Sequence, residues 1–316
     1  MLFLLLIVSI IILLLCIAIA YFFSNLILFP RKVQYEETYR RSIESGEIDA
    51  HVFEQKEKQE WFIDSYHGYK IHGMFFPQDG SKKIMIIAHG ITWSLFGSFK
   101  YVEMFQKRGF SVLLCDHRFH GLSGGSHTSF GFYEKDDLKA WVDYIEERFG
   151  SGMFIGLLGE SLGAASALQY VNKDSRVSFC IADCAFSDLT SLLKLRLLLD
   201  FKLNIYPLIY LTSFITRLRF GWDFTEISPI RGLEKTRTPI LFIHGQEDDF
   251  IPLQMTVDMF KRKKGQKELY LVPKAGHAQA FLADPKGYET KVIEFIKEIE
   301  LIVRGDGDGR KIELGG

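Results

Sequence analysis

A serine, a carboxylate and a histidine each follow a short apolar run in this chain, the placement that acyl-transfer chemistry requires. Gly159-Glu160-Ser161-Leu162-Gly163 fits G-x-S-x-G. The strand-like run Phe154–Leu158 leads into it, and a helical stretch with Ala164, Ala165, Ala167 and Leu168 leaves it. A serine on so sharp a strand-to-helix turn exposes its Oγ, and the start of the helix favours developing negative charge. A hydroxyl is a weak nucleophile until a base removes its proton, so a histidine oriented by a carboxylate is needed. Asp248 and Asp249 lie just past the run Ile240–Ile243, and His277 lies just past Leu269–Val272. Side chains alternate along an extended chain, so only one of the two adjacent aspartates can face the histidine. Asp183, after the run Ser178–Ala182, is the lesser acid and reads as a structural cap or lid contact.

Other reactive side chains have simpler readings. Cys184 lacks an elbow motif and is expected to be a small buried residue. His117 and His120 have metal-like spacing, but no further ligand cluster completes a site. His89 and His244 precede glycines at strand ends and are expected to brace turns. Gly156, Gly159 and Gly163 lack a dinucleotide-binding spacing. Neither a metal nor a cofactor is expected.

The elements that must position these residues alternate. Trp61–Ser65 and Tyr69–Phe76, separated by His67-Gly68, read as a hairpin. Further strands are expected at Ile84–Ala88, Val112–Cys115, Phe154–Leu158, Ser178–Ala182, Ile240–Ile243 and Leu269–Val272, as central strands buried on both faces. Stretches of helical period lie between them at Phe99–Lys107, Asp136–Arg148, Leu162–Val171, Leu253–Lys261 and Tyr288–Val303. That order predicts an α/β fold with a mostly parallel sheet flanked by helices. The apolar stretch from about 187 to 226 breaks the rhythm and reads as inserted helices. It forms either a lid packed over the sheet edge or a second membrane-contacting surface.

Leu2 to Phe29 carries no charge and is almost wholly apolar, longer than the ~20 residues that cross a bilayer core. The run exceeds a signal-peptide core and has no basic residue before it, so an uncleaved span is expected. Arg31, Lys32, Arg40 and Arg41 follow it, which by the positive-inside bias places the remainder in the cytoplasm. The expected organisation is a transmembrane anchor over 1–29, a juxtamembrane helix or linker over 30–58, a catalytic domain over 59–303 and a flexible tail over 304–316. Lys and Arg number 38 against 39 Asp and Glu, a balance that argues against a nucleic-acid partner. Four cysteines are too few for a disulfide scaffold in a chain of 316 residues.

Taken together, the elbow, the later acid and the still later histidine resemble the α/β-hydrolase superfamily, whose order is serine, acid, histidine. The resemblance extends over roughly residues 60–303. Ala88-His89-Gly90 is similar to the family's oxyanion loop, which implies that the backbone N–H groups of Ile91 and Leu162 hold the oxyanion. Asp116 to Ser123 resembles the D-x-R-x-x-G-x-S loop, and Ser228-Pro229 the return from an inserted cap. In the pattern H-G-x-x-D-x-x-[VI]-P, Asp248 aligns because Ile251-Pro252 then falls in register. Within the superfamily the chain is most similar to the anchored bacterial branch grouped with serine-aminopeptidase-like hydrolases. The resemblance implies a serine hydrolase with Ser161, Asp248 and His277 as its triad, acting on esters, lipid-like acyl compounds or thioesters. The alternatives are an acyltransferase or peptidase using the same groups, or a non-catalytic membrane interaction protein with a hydrolase shape.

Overall fold

Eight strands form one sheet in the computed structural model, which describes residues 1–306. They are β1 (Gln59–Asp64), β2 (Lys70–Phe76), β3 (Lys83–Ala88), β4 (Phe110–Cys115), β5 (Phe154–Glu160), β6 (Val177–Asp183), β7 (Ile240–Gly245) and β8 (Lys267–Val272). Their spatial order is β1-β2-β4-β3-β5-β6-β7-β8. The hairpin β1–β2 and the pair β2–β4 are antiparallel, and every other pairing is parallel. This is the α/β architecture with a mostly parallel sheet that the alternation of runs predicts, in the arrangement the resemblance implies. β3 and β4 are buried almost throughout. β8 differs from the expectation of a doubly buried strand. It forms the sheet edge and is only half-buried over most of its length, from Lys267 to Leu271.

The helices are α1 (Leu2–Leu28), α2 (Tyr35–Glu44), α3 (Ala50–Gln55), α4 (Val102–Gln106), α5 (Glu134–Phe149), α6 (Leu162–Val171), α7 (Leu189–Phe201), α8 (Tyr206–Phe220), α9 (Leu253–Arg262), α10 (Ala280–Ala283) and α11 (Pro285–Asp306). α4 and α11 cover one face of the sheet, with Phe105, Phe295 and Ile299 in the core there. α5, α6 and α9 cover the other through Trp141, Leu168 and Met259. The helix expected over Phe99–Lys107 is largely a 3-10 winding, Leu95–Tyr101, with α4 only its last turn and a half. Gly97 and its aromatic neighbours are weak helix formers. The Ser94 hydroxyl and the Asp116 carboxylate tie down the N–H groups of Phe96 and Leu95, which keeps the start tight.

Residues 30–58, expected as a juxtamembrane helix or linker, hold α2 and α3 and also enter the core. Ile48 and Phe53 are buried in the same core as α4, and Tyr39 packs its ring on Phe53 and Phe96. The expected tail over 304–316 falls, from residue 307 onward, outside the described residues. α7 and α8 make up the insertion between β6 and β7, and the end of α1 joins them in a third apolar cluster with Phe23, Leu28, Phe186, Leu197 and Ile209. α1 is a single helix long and apolar enough to cross a membrane, as a signal sequence also is.

Candidate active site

β5 runs straight into α6, and Ser161 at the junction has φ 54° and ψ −110°. Two glycines make that turn possible by their lack of a side chain. A Cβ on Gly163 would sit 2.1 Å from the carbonyl oxygen of Ala88 at the end of β3, and one on Gly159 would sit 2.3 Å from the backbone nitrogen of Ala164. The N–H of Ser161 donates to the carbonyl of Asp183 at 2.9 Å, anchoring the elbow to the neighbouring strand end.

The structure brings Ser161, His277 and Asp248 into one hydrogen-bonded line. Ser161 Oγ lies 2.9 Å from His277 Nε2, and His277 Nδ1 lies 2.8 Å from the Asp248 carboxylate. A carboxylate only accepts, so Nδ1 carries the proton and Nε2 offers its lone pair to the serine hydroxyl. The other oxygen of Asp248 accepts the backbone N–H groups of Phe250 and Ile251 at 2.9 and 2.8 Å. His244 Nε2 stands 3.2 Å from the oxygen that His277 uses. Burial opposes ionisation of Asp248, but the hydrogen bonds from His244 and His277 outweigh it and hold the carboxyl well below the usual range. Asp249 is exposed, and among the described residues only its backbone carbonyl is engaged, by Arg196.

The loops around the serine are braced by neutral imidazoles. His89 Nε2 accepts the N–H of His117, and His120 Nε2 accepts the N–H of Thr92, each at 3.1 Å. His89, His117 and His120 are also tied by their other contacts to the carbonyls of Gly90, His89 and Arg118. Asp116 accepts from His72 and from the N–H groups of Leu95 and Leu122, which accounts for the loop motif around it. Gly90 comes close enough that a Cβ on it would touch Ser161 Cβ at 3.6 Å. Ile91 lines both cavities beside Ser161, and Leu162 opens α6, where the first N–H groups have no acceptor within the helix.

Cys184 is buried as expected, but close to the acid and histidine. Its Sγ and ligand atoms of Asp248 and His277 lie within 4.8 Å of one another. Burial, followed by the neighbouring carboxylates, pushes its thiol well above the ordinary value. Asp248 and His277 are already bonded to each other at 2.8 Å. Asp183 is buried beneath the elbow away from His277's bond, and burial together with nearby Glu160 pushes it up to about 7.

Two cavities meet at Ser161. One, of about 270 Å³, is apolar and runs under α7 and α8, with Phe186, Leu192 and Ile209 in its wall. The other, of about 800 Å³, is the more polar of the two, with Arg41, Glu47 and Gln279 in its wall beside Trp93, Phe250 and Leu282. At its base Lys100 lies 3.0 Å from Glu160 and 3.1 Å from Glu47, and Tyr101 donates to Glu160 at 2.9 Å. Burial opposes the Lys100 charge, but the two carboxylates more than offset this and raise its pKa. Sequence reasoning missed this cluster. Its signal was the charged residue inside the elbow, Glu160, which needs a partner when buried.

Comparison with known proteins agrees with this architecture. The family described as alpha/beta hydrolase fold matches residues 83–212. The Bacillus subtilis protein YqkD is 37% identical over 89% of this chain and 92% of its own length. The Pyrococcus furiosus esterase Pf2001 superposes with a TM-score of 0.65 over 79% of this chain and 96% of its own, at 24% identity. The rat acylamino-acid-releasing enzyme is 24% identical over 64% of this chain, which corresponds to 29% of that longer protein.

The imidazole brace gives the fold a pH dependence. Burial depresses His89 strongly, His117 to about 3, His120 below its ordinary value and His127 to about 4. In the unfolded chain these rings take up protons near pH 6.5, so below that value the unfolded state binds more protons and folding stability falls. Asp137 and Asp183, both raised to about 7, act in the opposite sense and offset part of the loss. The melting temperature should drop on acidification from pH 6.5 towards 4. A melting temperature constant or rising over that range would contradict the neutral-imidazole brace.

Proposed function

The chain belongs to the α/β-hydrolase family, and on that premise we propose that it is a membrane-anchored serine hydrolase cleaving carboxylic esters, thioesters included. The observation that carries this reading is the unbroken hydrogen-bonded line from Ser161 Oγ through His277 to Asp248, set where an apolar and a polar cavity meet. The acyl chain lies in the apolar cavity and the leaving group in the polar one. Ser161 Oγ attacks the carbonyl carbon while its proton passes to His277 Nε2. The carbonyl oxygen becomes an oxyanion held by the N–H groups of Ile91 and Leu162. The tetrahedral adduct collapses, and the imidazolium gives its proton to the departing alcohol or thiol. Water, deprotonated by His277, then cleaves the acyl-enzyme on Ser161 and frees the acid. Asp248 keeps the imidazole in the required tautomer and steadies its positive charge.

α1 is the anchor in this reading. Leu2 to Ile19 is exposed and rises ~27 Å, close to the ~30 Å of a bilayer core. Its last turns are buried against the domain at Ala20, Phe23, Ser24 and Leu28, which supports a helix retained in the mature protein. The basic residues that follow favour the cytoplasmic side for the domain. Protease added to intact cells should therefore leave the domain whole, and cleavage without lysis would reverse the orientation. With p-nitrophenyl esters, Ser161→Ala and His277→Ala should each lower kcat on the order of 10⁴-fold, and Asp248→Asn by a comparable factor. A Ser161→Ala protein within tenfold of the wild type would remove this serine from the reaction.

A further inference from the structure

The hydrolase domain alone does not close the apolar cavity. Phe23, Leu26 and Ile27 from the end of α1, and Pro30 two residues beyond it, form part of its wall. This end of α1 is fastened to α8 by polar contacts. Ser24 Oγ lies 3.0 Å from Thr216 Oγ1, and Arg219 donates to Ser24 Oγ at 2.9 Å and to Asn25 Oδ1 at 2.8 Å. Phe23 packs edge-on against Phe201 at the end of α7. The main chain just beyond α1 is tied to the catalytic loops as well. The N–H of Val33 donates to the carbonyl of Thr92, next to Ile91, and Lys32 donates to the carbonyl of Phe119.

α8 has the reverse of the polarity a water-facing helix shows. Its inward face holds Thr212, Ser213 and Thr216 beside Ile209, whereas Tyr206, Tyr210, Phe214 and Leu218 recur every four residues on the outside and are exposed. Leu198, Leu199 and Phe201 of α7 and Ile205 in the connection are exposed as well. A soluble helix turns its large apolar side chains to the core, so a continuous outward stripe calls for an apolar partner. A bilayer is such a partner. The stripe belongs to the helix bonded to α1, at the level where the exposed, bilayer-length part of α1 ends. Lys194, stacked over the Tyr210 ring, sets a cation at the same border, as suits an interface with phosphate headgroups. Leu26 and Phe201 both line the cavity and are themselves exposed, so the cavity meets the outside between α1 and the α7–α8 hairpin.

We propose that the outer face of α7–α8 beds in the bilayer surface, and that the acyl chain of a membrane lipid reaches Ser161 through the seam between α1 and this hairpin. The acyl route rests on the hydrolase reading above, whereas the bedding of α8 does not. The polar cavity then receives the lipid's headgroup, and the anchor helix is a wall of the substrate site as well as a tether.

The full chain reconstituted in phosphatidylcholine vesicles provides the test. Phe214→Trp should lose at least half its added tryptophan fluorescence when the vesicles contain brominated acyl chains, and no quenching would overturn the bedding of α8. The double variant Phe214→Glu/Leu218→Glu alters only exposed positions on the outer stripe. It should keep wild-type hydrolysis of a water-soluble butyrate ester and lose about tenfold on a long-chain monoacylglycerol supplied in the vesicles. Equal rates on the vesicle ester would overturn the lateral route. Failure of the wild type to turn over either ester would remove the hydrolase reading and the acyl route with it, while the quenching result would still decide the surface.

Discussion

At Ser161 the backbone takes φ 54° and ψ −110°, outside the regions an L-residue favours and at a cost of order 1–3 kcal/mol. The sheet holds it there from two sides. β5 is paired with both β3 and β6 up to the elbow, and α6 leaves so close to the end of β3 that only a glycine fits at position 163. Because β3 and β5 are neighbours in the sheet but distant in sequence, the loop after β3 arrives beside the serine with Gly90 in contact range. The acid and the histidine follow from the same edge, since β7 and β8 deliver their loops at the carboxyl ends of parallel strands, where α/β sheets open a crevice.

Protonation states are tightly prescribed around that crevice. Asp248 is saturated as an acceptor, which keeps it ionised and fixes the proton of His277 on Nδ1. The imidazoles of His89 and His120 must stay neutral, because each accepts a backbone N–H with one nitrogen. A second proton on either ring would set a donor against a donor in the loop that carries Ile91. The charged cluster of Lys100, Glu160 and Glu47 makes the opposite choice, burying charge but pairing it on both sides. Neutral groups thus hold the loops beside the serine, and paired charges line the cavity assigned to the polar end of a substrate.

Much of this could be read from the sequence where the signal is local. The strands announced themselves as apolar runs, and Ser161, His277 and Asp248 stood just past strand ends with glycines marking the turns. The less legible parts depend on distant partners. Nothing within 30–58 says that Phe53 will meet Phe96 and Phe99, and a charge-mixed stretch reads as a linker until that core is seen. His244 looked like a turn brace, and its approach to the Asp248 carboxylate became apparent only when the loop closed on itself. The seat of α1 was least visible. A uniformly apolar helix shows no face, so Ser24, Asn25 and Phe23 could be identified as contacts only once α8 was beside them. The insertion was readable as either a lid or a membrane surface, and its α8 has one face suited to each.

Turnover through a covalent acyl group on the strained serine is open to direct observation. Rapid acid quenching of the full chain during turnover of a long-chain p-nitrophenyl ester, followed by mass analysis of the digested protein, tests it directly. One acyl group per chain is expected, on the peptide that contains Ser161, and none in Ser161→Ala. An acyl group on any other residue, or one retained in Ser161→Ala, would contradict it.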